Sequence, residues 1–197
     1  MQRYIPVAVS ARHVHLDQHT IDRLFGTGHR LQARTALSQP GQFAATETVA
    51  LRGPRGRIDA VRIVGPARPQ NQVEISRSDE FLLGLDAPVR LSGDLAATPG
   101  ITLEGPAGSV RIDSGVVIAW RHIHMSPAEA RDLGVRDHDT VRVAIDSEGR
   151  DLVFGDVTVR VADNYRLELH LDTDEANACG LKHGDRALFL GPAAASA

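Results

Sequence analysis

The stretches Arg12-His13-Val14-His15 and Arg121-His122-Ile123-His124 lie 109 positions apart, and each follows an apolar run that predicts a β-strand. On a strand, residues i and i+2 share one face and lie about 6.5 Å apart, whereas on a helix they point to roughly opposite sides. Two imidazoles at the strand spacing can converge on one cation. Each His-x-His pair therefore predicts two metal ligands on a β-strand.

A short helix is predicted directly after each pair. Asp17 is the expected N-cap of a helix that stops near Gly26. After the second pair, Ser126 can cap a helix, Pro127 can occupy its first turn, and Glu129 completes a capping box. Both halves of the chain thus follow the order strand, His-x-His, short helix, which indicates an internal duplication.

A second correspondence relates residues 73–85 to residues 169–181 at an offset of 96, because both segments end in Gly-Leu. This alignment sets Glu74 opposite His170 and gives each half a third candidate ligand. The two predicted ligand sets are His13, His15 and Glu74, and His122, His124 and His170. Three protein ligands leave a fourth position open for water or substrate, which is typical of catalytic zinc. The sequence therefore predicts two open metal sites.

Many short apolar segments separated by turn signals predict a mainly β fold with short capping α-helices. With the duplication, this pattern favours two similar β-barrels. Residues 1–112 are predicted to form the first barrel repeat and residues 113–191 the second. Residues 192–197, which are mostly alanine, are predicted to be a disordered tail.

Composition excludes several classes of function. The net charge of −3, without a basic run, argues against a nucleic-acid partner. No apolar stretch approaches the length of a membrane span, and no signal-peptide pattern is found. The single cysteine, Cys179, excludes an internal disulfide framework and fits a reducing cytoplasm.

Arg68 lies in a polar segment, residues 65–72, six residues before Glu74. Two prolines and a glycine hold this segment in a non-helical course, so that Arg68 can enter the same site. A guanidinium group can hold phosphate by paired hydrogen bonds. Arg68 is therefore either a phosphate-binding residue or an ordinary solvated surface residue, and the residues around it do not choose between the two.

Seven short segments, distributed in order from Val9 to Asn177, resemble the PduL-type phosphotransacylases, also called phosphate propanoyltransferases. They are Val9-Ser10-Ala11-Arg12-His13-Val14-His15-Leu16, Gly65-Pro66-Ala67-Arg68, Gln72-Val73-Glu74-Ile75-Ser76, Ser92-Gly93-Asp94, Pro99-Gly100-Ile101, Arg121-His122-Ile123-His124-Met125-Ser126-Pro127 and His170-Leu171-Asp172-Thr173-Asp174-Glu175-Ala176-Asn177.

The resemblance implies a zinc enzyme that exchanges a short acyl group, propanoyl or acetyl, between coenzyme A and inorganic phosphate. It implies two β-barrels, with residues 2–11 exchanged into the second barrel and a two-metal site between them. It also implies two zinc ions per chain, with His13, His15 and Glu74 as ligands of one and His122, His124 and His170 as ligands of the other. Arg68 would be the catalytic, phosphate-handling arginine.

Location and assembly follow less directly from the sequence. Many relatives carry an N-terminal extension that directs them into a bacterial microcompartment, and here only a few residues precede the first strand. We therefore expect a cytoplasmic enzyme. The sequence leaves open both an association with a microcompartment by another route and the formation of a homo-oligomer.

Two other functions fit the same residues. Two metals could activate water, which would make the chain a metal-dependent hydrolase of thioesters or phosphoesters. A non-enzymatic, metal-stabilised module would instead require closed coordination and would unfold with chelator. The sequence also leaves cobalt and iron open beside zinc, because imidazole suits several metals.

Overall fold

The computed structural model describes residues 2–182 and 184–193. In chain order its strands are β1 (Arg3–Ser10), β2 (His13–His15), β3 (Ala33–Ala36), β4 (Phe43–Arg52), β5 (Arg57–Gly65), β6 (Gln72–Glu74), β7 (Val89–Arg90), β8 (Ile101–Gly105), β9 (Gly108–Ile112), β10 (Val116–Ala119), β11 (His122–Met125), β12 (Thr140–Ile145), β13 (Leu152–Val161), β14 (Glu168–Asp172) and β15 (Arg186–Pro192). Its helices are α1 (Gln18–Phe25), α2 (Arg77–Leu83), α3 (Pro127–Leu133) and α4 (Thr173–Ala178). The predicted mainly β fold with short helices is confirmed.

The chain divides into two compact units. The first, which we call the barrel unit, contains β1 and the chain from Trp120 onward. Its six strands close in the order β1, β14, β11, β13, β12, β15. Apolar side chains from every strand fill the interior, including the fully buried Ile5, Ile123 and Leu169. Closure leaves each strand paired on both sides, which removes exposed sheet edges.

The second unit, which we call the sheet unit, comprises Ala11–Ala119. Its strands follow the order β7, β10, β6, β2, β5, β4, β8, β9, and β3 pairs with β4. The sheet unit is therefore a half-barrel sheet. The barrel unit, which corresponds to the predicted second repeat, is the closed one. The core of the sheet unit includes Val14, Ile63 and Leu103.

The two repeats exchange their opening strands. β1 runs parallel to β14, with Val7 beside Leu169, although the chain then continues into β2 of the sheet unit. β10 likewise runs parallel to β6, with Val116 beside Val73, although the chain continues into β11 of the barrel unit. Strand β1 (Arg3–Ser10) therefore belongs to the barrel unit, as expected of an exchanged N-terminal strand, and the exchange is reciprocal.

The predicted helix caps are found in the structure. The side chain of Asp17 accepts a hydrogen bond from the N–H of Thr20 at the start of α1. Ser126 and Glu129 form the predicted capping box of α3. Helix α2, which had not been predicted, begins with a further capping box formed by Ser76 and Asp79.

At the C-terminus, Pro192 ends β15 and the N–H of Ala193 donates to the carbonyl oxygen of Thr140 at 2.9 Å. The rest of the predicted tail, residues 194–197, lies outside the described residues. None of the helices in the described part of the chain combines the length and apolar character that crossing a membrane requires.

Candidate metal centres

The first candidate site is a cluster of His13, His15 and Glu74 in the sheet unit, which we call the first cluster. Strand β2 carries the two histidines on either side of Val14, whose side chain is fully buried in the core. Because side chains alternate along a strand, a buried Val14 places both imidazoles on the opposite face. β2 pairs antiparallel with β6, and His13 lies directly across from Glu74.

The ring nitrogens of the first cluster are oriented by the backbone. Nδ1 of His13 lies 2.9 Å from the carbonyl oxygen of Ala11, and Nδ1 of His15 lies 3.0 Å from that of Val64. A carbonyl oxygen can only accept a hydrogen bond, so each Nδ1 carries a proton. Each Nε2 is then directed toward the cluster, the arrangement by which metal-binding histidines are commonly fixed.

Burial lowers the pKa of His15 from 6.5 to about 3. The neighbouring His13 and the positive charge of Arg68 act in the same direction, whereas Glu74 opposes them. The imidazole of His15 is therefore neutral at neutral pH and offers a lone pair on Nε2. The guanidinium group of Arg68 is thus close enough to His15 for its charge to lower that pKa.

The second candidate site is a cluster of His122, His124 and His170 in the barrel unit, which we call the second cluster. Ile123, between the two histidines of β11, is fully buried in the barrel core. β11 pairs antiparallel with β14, and His122 lies directly across from His170. Glu74 and His170 thus occupy equivalent positions, as the sequence alignment predicted.

Hydrogen bonding in the second cluster repeats part of the first. Nδ1 of His122 lies 2.8 Å from the carbonyl oxygen of Trp120, which is the counterpart of the bond between His13 and Ala11. Nδ1 of His124 lies 3.2 Å from Nε2 of His170. Nδ1 of His170 lies 3.5 Å from the hydroxyl of Ser10.

The spacing of these atoms fits a tetrahedral cation. Zinc–nitrogen bonds of about 2.0 Å place neighbouring ligand atoms about 3.3 Å apart. In the first cluster, Nε2 of His13 lies 3.2 Å from Nε2 of His15 and 3.5 Å from Oε2 of Glu74. Within each cluster the candidate ligand atoms all lie within 4.8 Å of one another. Each cluster could therefore hold a cation.

The arginine directly before each His-x-His pair forms an ion pair with an acidic residue at the start of a helix. The guanidinium group of Arg12 binds Asp79 through Nε at 2.8 and 2.9 Å and through Nη2 at 2.7 Å. Arg121 binds Glu175 through Nε at 2.6 Å and also contacts Asp156. Asp79 and Glu175 are the capping-box acids of α2 and α4, so each arginine ties a helix start to a ligand strand.

Sequence reasoning missed two residues beside the clusters. Gln72 lies across from His15, and Glu168 lies across from His124. The amide nitrogen of Gln72 donates to Oε1 of Glu74 at 2.6 Å, and Oε2 of Glu168 lies 3.2 Å from Nε2 of His170. The offset of 96 that aligned Glu74 with His170 also aligns Gln72 with Glu168, so the signal was present in the sequence.

The sequence of the chain also matches a known protein family. A family model described as phosphate propanoyltransferase matches residues 6–182. The chain belongs to the phosphate propanoyltransferase family. The resemblance inferred from the sequence is thereby confirmed, as is the predicted enzyme class, since members of this family are acyltransferases.

Individual members of the phosphate propanoyltransferase family match over most of their length. The chain is 52% identical to the phosphate propanoyltransferase of Thermotoga maritima over 181 residues. The matched region makes up 92% of this chain and 86% of that protein. The chain is 52% identical to the one from Shewanella putrefaciens, over 93% and 86% of the two chains. The one from Salmonella typhimurium is 51% identical, over 91% and 85%.

Proposed function

We propose that this chain is a zinc-dependent phosphate acyltransferase that interconverts propanoyl-CoA plus phosphate with propanoyl phosphate plus coenzyme A. Acetyl-CoA is the second acyl donor that we expect it to use. The observation that carries the zinc dependence is the convergence of three candidate ligands in each unit, at the same positions of the two repeats.

The residues that would hold the two zinc ions are His13, His15 and Glu74 for one, and His122, His124 and His170 for the other. Zinc bound there would supply Lewis acidity toward an oxygen atom and affinity for a thiolate sulfur. Both chemistries suit a thioester substrate. The third residue differs between clusters, being a carboxylate in the first and an imidazole in the second, so the two ions would differ in charge environment.

Arg68 is proposed to bind and orient phosphate. Its backbone N–H donates to the carbonyl oxygen of Leu16 at 2.9 Å, which fixes the loop beside the end of β2. Its positive charge contributes to the lowered pKa of His15. A phosphate oxygen attacks the carbonyl carbon of the thioester, the carbon–sulfur bond breaks, and coenzyme A leaves as the thiolate. The forked guanidinium group is suited to hold the other phosphate oxygens.

The decisive assay measures release of free thiol from propanoyl-CoA and acetyl-CoA, with and without inorganic phosphate, together with the metal content of the same sample. Release that depends on phosphate, with formation of acyl phosphate and about two zinc ions per chain, supports the proposal. Release without phosphate would instead indicate the hydrolase, which family membership does not favour. A sample that is fully active without metal would overturn the zinc dependence.

Replacement of Arg68 separates phosphate binding from the rest of the reaction. We expect Arg68→Ala to raise the KM for phosphate at least 10-fold while changing the KM for propanoyl-CoA far less. Arg57→Ala is the matched control, because Arg57 is an arginine of the same unit that pairs with Asp59 and Glu104 at the surface. Equal effects of Arg68→Ala on both KM values would contradict the assignment.

A further inference from the structure

Residues 66–71, which we call the Arg68 segment, connect β5 to β6 in the sheet unit. The segment follows Gly65, the last residue of β5, and precedes Gln72, the first residue of β6. Within it, the backbone N–H of Arg68 donates to the carbonyl oxygen of Leu16 at 2.9 Å. The side chain of Asn71, at the other end of the segment, adds further bonds to the same part of the chain.

Asn71 binds the start of helix α1 with all three polar groups of its side chain. Its Oδ1 accepts a hydrogen bond from the backbone N–H of Asp17 at 2.9 Å. Its Nδ2 donates to Oδ2 of Asp17 and to Oγ1 of Thr20, both at 2.9 Å. An asparagine side chain offers one carbonyl oxygen and two N–H groups, so each of the three is engaged.

The partners of Asn71 are themselves held in place. Asp17 is the N-cap of α1, and its Oδ1 accepts from the N–H of Thr20 at 2.7 Å. Thr20 is only 2% exposed. The backbone of Asn71 also lies against Gly115, where an added Cβ atom would come within 2.7 Å of the carbonyl oxygen of Asn71. Asn71 therefore fixes the Arg68 segment against a capped and buried helix start.

The same bonds link the Arg68 segment to the ligand strand of the first cluster. Leu16 and Asp17 directly follow His15, the last residue of β2. Leu16 accepts from the N–H of Arg68, and Asp17 is bound by the side chain of Asn71. The position of the segment relative to His15 thus depends on both bonds.

The barrel unit carries other residues at the equivalent positions. The offset of 96 sets Leu167 opposite Asn71 and Asn164 opposite Arg68. Leu167 is apolar and cannot form the hydrogen bonds that Asn71 forms with the start of a helix. The arginine and its anchor are therefore found together in one repeat, as expected if the anchor serves the arginine.

We propose that Asn71 is a positioning residue for the transfer of acyl groups to phosphate. By anchoring the Arg68 segment to the start of α1, it keeps Arg68 in the position in which the guanidinium group binds phosphate. Without the anchor, the segment occupies that position for only part of the time, and the apparent affinity for phosphate falls by the same fraction. This inference rests on the proposed function, because it requires that Arg68 bind phosphate.

The test exchanges the amide of Asn71 and the carboxylate of Asp17. Asn71→Asp alone sets two carboxylates against each other where Nδ2 of Asn71 donates to Oδ2 of Asp17. Asn71→Asp combined with Asp17→Asn restores one amide and one carboxylate, and asparagine is as good an N-cap as aspartate. The KM values for phosphate and for propanoyl-CoA are measured on the full-length protein.

We expect Asn71→Asp to raise the KM for phosphate about 5- to 10-fold and the KM for propanoyl-CoA less than about 2-fold. The exchanged pair should recover most of the loss. Equal effects on the two KM values, or no recovery in the exchanged pair, would overturn the proposal. If Asn71→Asp does not fold, as judged by thermal unfolding, Asn71→Ala takes its place, because it removes the bonds without adding a charge.

Glu47→Gln is the matched control. Glu47 lies in the same unit, where it is bound to His29 and to the N–H of Gln32 and not to the Arg68 segment. Its replacement weakens the unit without releasing the anchor, so we expect both KM values to stay unchanged. A rise in the KM for phosphate as large as that of Asn71→Asp would show that any loss of stability has this effect, and would overturn the role of Asn71.

A double variant tests whether Asn71 acts through Arg68. In the Arg68→Ala background we expect Asn71→Asp to change the KM for phosphate little, because the group that the anchor positions is already absent. A merely structural role would give the same fold-change in both backgrounds. Additive effects would therefore overturn the proposal.

The outcomes separate this inference from the proposed function. If Arg68→Ala raises the KM for phosphate and Asn71→Asp does not, the role of Asn71 is wrong and the role of Arg68 stands. If Arg68→Ala leaves the KM for phosphate unchanged, the roles of both residues are wrong. If the unsubstituted protein releases no thiol in response to phosphate, the proposed function is wrong and the role of Asn71 with it.

Discussion

At the residue scale, the histidines of both clusters were predictable because spacing alone decides which face of a strand they share. The apolar residue between each pair, Val14 or Ile123, had to point into a core, and the histidines had to point away from it. Glu168 was not predictable in the same way. The offset of 96 aligns it with Gln72, but a carboxylate two positions before a histidine is not a recognisable metal-site pattern, and its pairing across from His124 is what places it beside the second cluster.

Glu47 carries a residue-scale prediction about pH. Burial raises its pKa, but hydrogen bonds from His29 and from the N–H of Gln32 outweigh burial and hold it below the ordinary value of 4.5. Nε2 of His29 lies 2.7 Å from Oε1 of Glu47. A carboxyl group with a lowered pKa in the folded state stabilises that state above its unfolded pKa, and this contribution is lost as the pH falls through the folded value.

We therefore expect Glu47→Gln to lower the free energy of unfolding at pH 7 by about 1 kcal/mol. The difference from the unsubstituted protein should shrink as the pH falls below about 4.5. Urea unfolding at a series of pH values measures it. A difference that stays constant from pH 7 to pH 3 would show that side-chain shape, and not charge, is responsible.

At the element scale, the sequence predicted the capped helices well and the strand limits less well. The apolar run before His13 marks only Val7–Val9 as a strand, whereas β1 runs from Arg3 to Ser10. Arg3, Tyr4 and Pro6 are exposed and interrupt the apolar run around Ile5, and pairing with β15 extends the strand. Helix α2 was missed because its outward face carries the exposed Phe81 and Leu82, which obscure the usual alternation of polar and apolar faces.

The ion pair between Arg12 and Asp79 carries a prediction at this scale, because it joins the start of α2 to β2. The carboxylate of Asp79 is 2% exposed and would lose its guanidinium partner in Arg12→Ala. We expect a loss of about 1–3 kcal/mol in the free energy of unfolding, because a buried charged acceptor would be left without that partner. Urea unfolding gives the measurement.

Arg57→Ala is the matched control for this prediction as well. Arg57 pairs with Asp59 and Glu104, and its own side chain is 44% exposed. Solvent-exposed pairs contribute little, so we expect less than about 1 kcal/mol. Equal losses for Arg12→Ala and Arg57→Ala would mean that the Arg12 pair is not a structural link.

At the scale of the whole molecule, the duplication could be predicted from the sequence, but the pairing that completes each unit could not. The offsets of 109 and 96 identified equivalent residues without showing which strands lie side by side. Two pairings, of β10 with β6 and of β1 with β14, depend on contacts between residues far apart in the chain. Closure of one sheet and the half-barrel form of the other depend on the same distant contacts.

The proposal that both clusters serve one reaction gives a prediction about combined substitutions. We expect His15→Ala and His124→Ala each to lower kcat/KM for phosphate-dependent thiol release at least 100-fold, although they lie in different units. The double variant should lose little more than either single variant, because a reaction that needs a cation at each cluster is already lost when either is removed, so that the two effects are not additive. Substantial activity in either single variant would show that its cluster is dispensable.

The exchanged strand β1 gives a prediction about the barrel unit. Ile5 and Val7 are 0% and 1% exposed in its core, and the N–H of Val7 donates to the carbonyl oxygen of Asp185 at 2.8 Å.

A chain that begins at Ala11 lacks the strand that joins β14 to β15, so its barrel cannot close. Because Ala11–Ala119 retains every strand of the sheet unit, including β10, we expect partial rather than complete unfolding. Amide hydrogen exchange should show protection lost in β11 to β15 and largely kept in β4, β5 and β8. Protection kept in both units would show that β1 is not needed for closure.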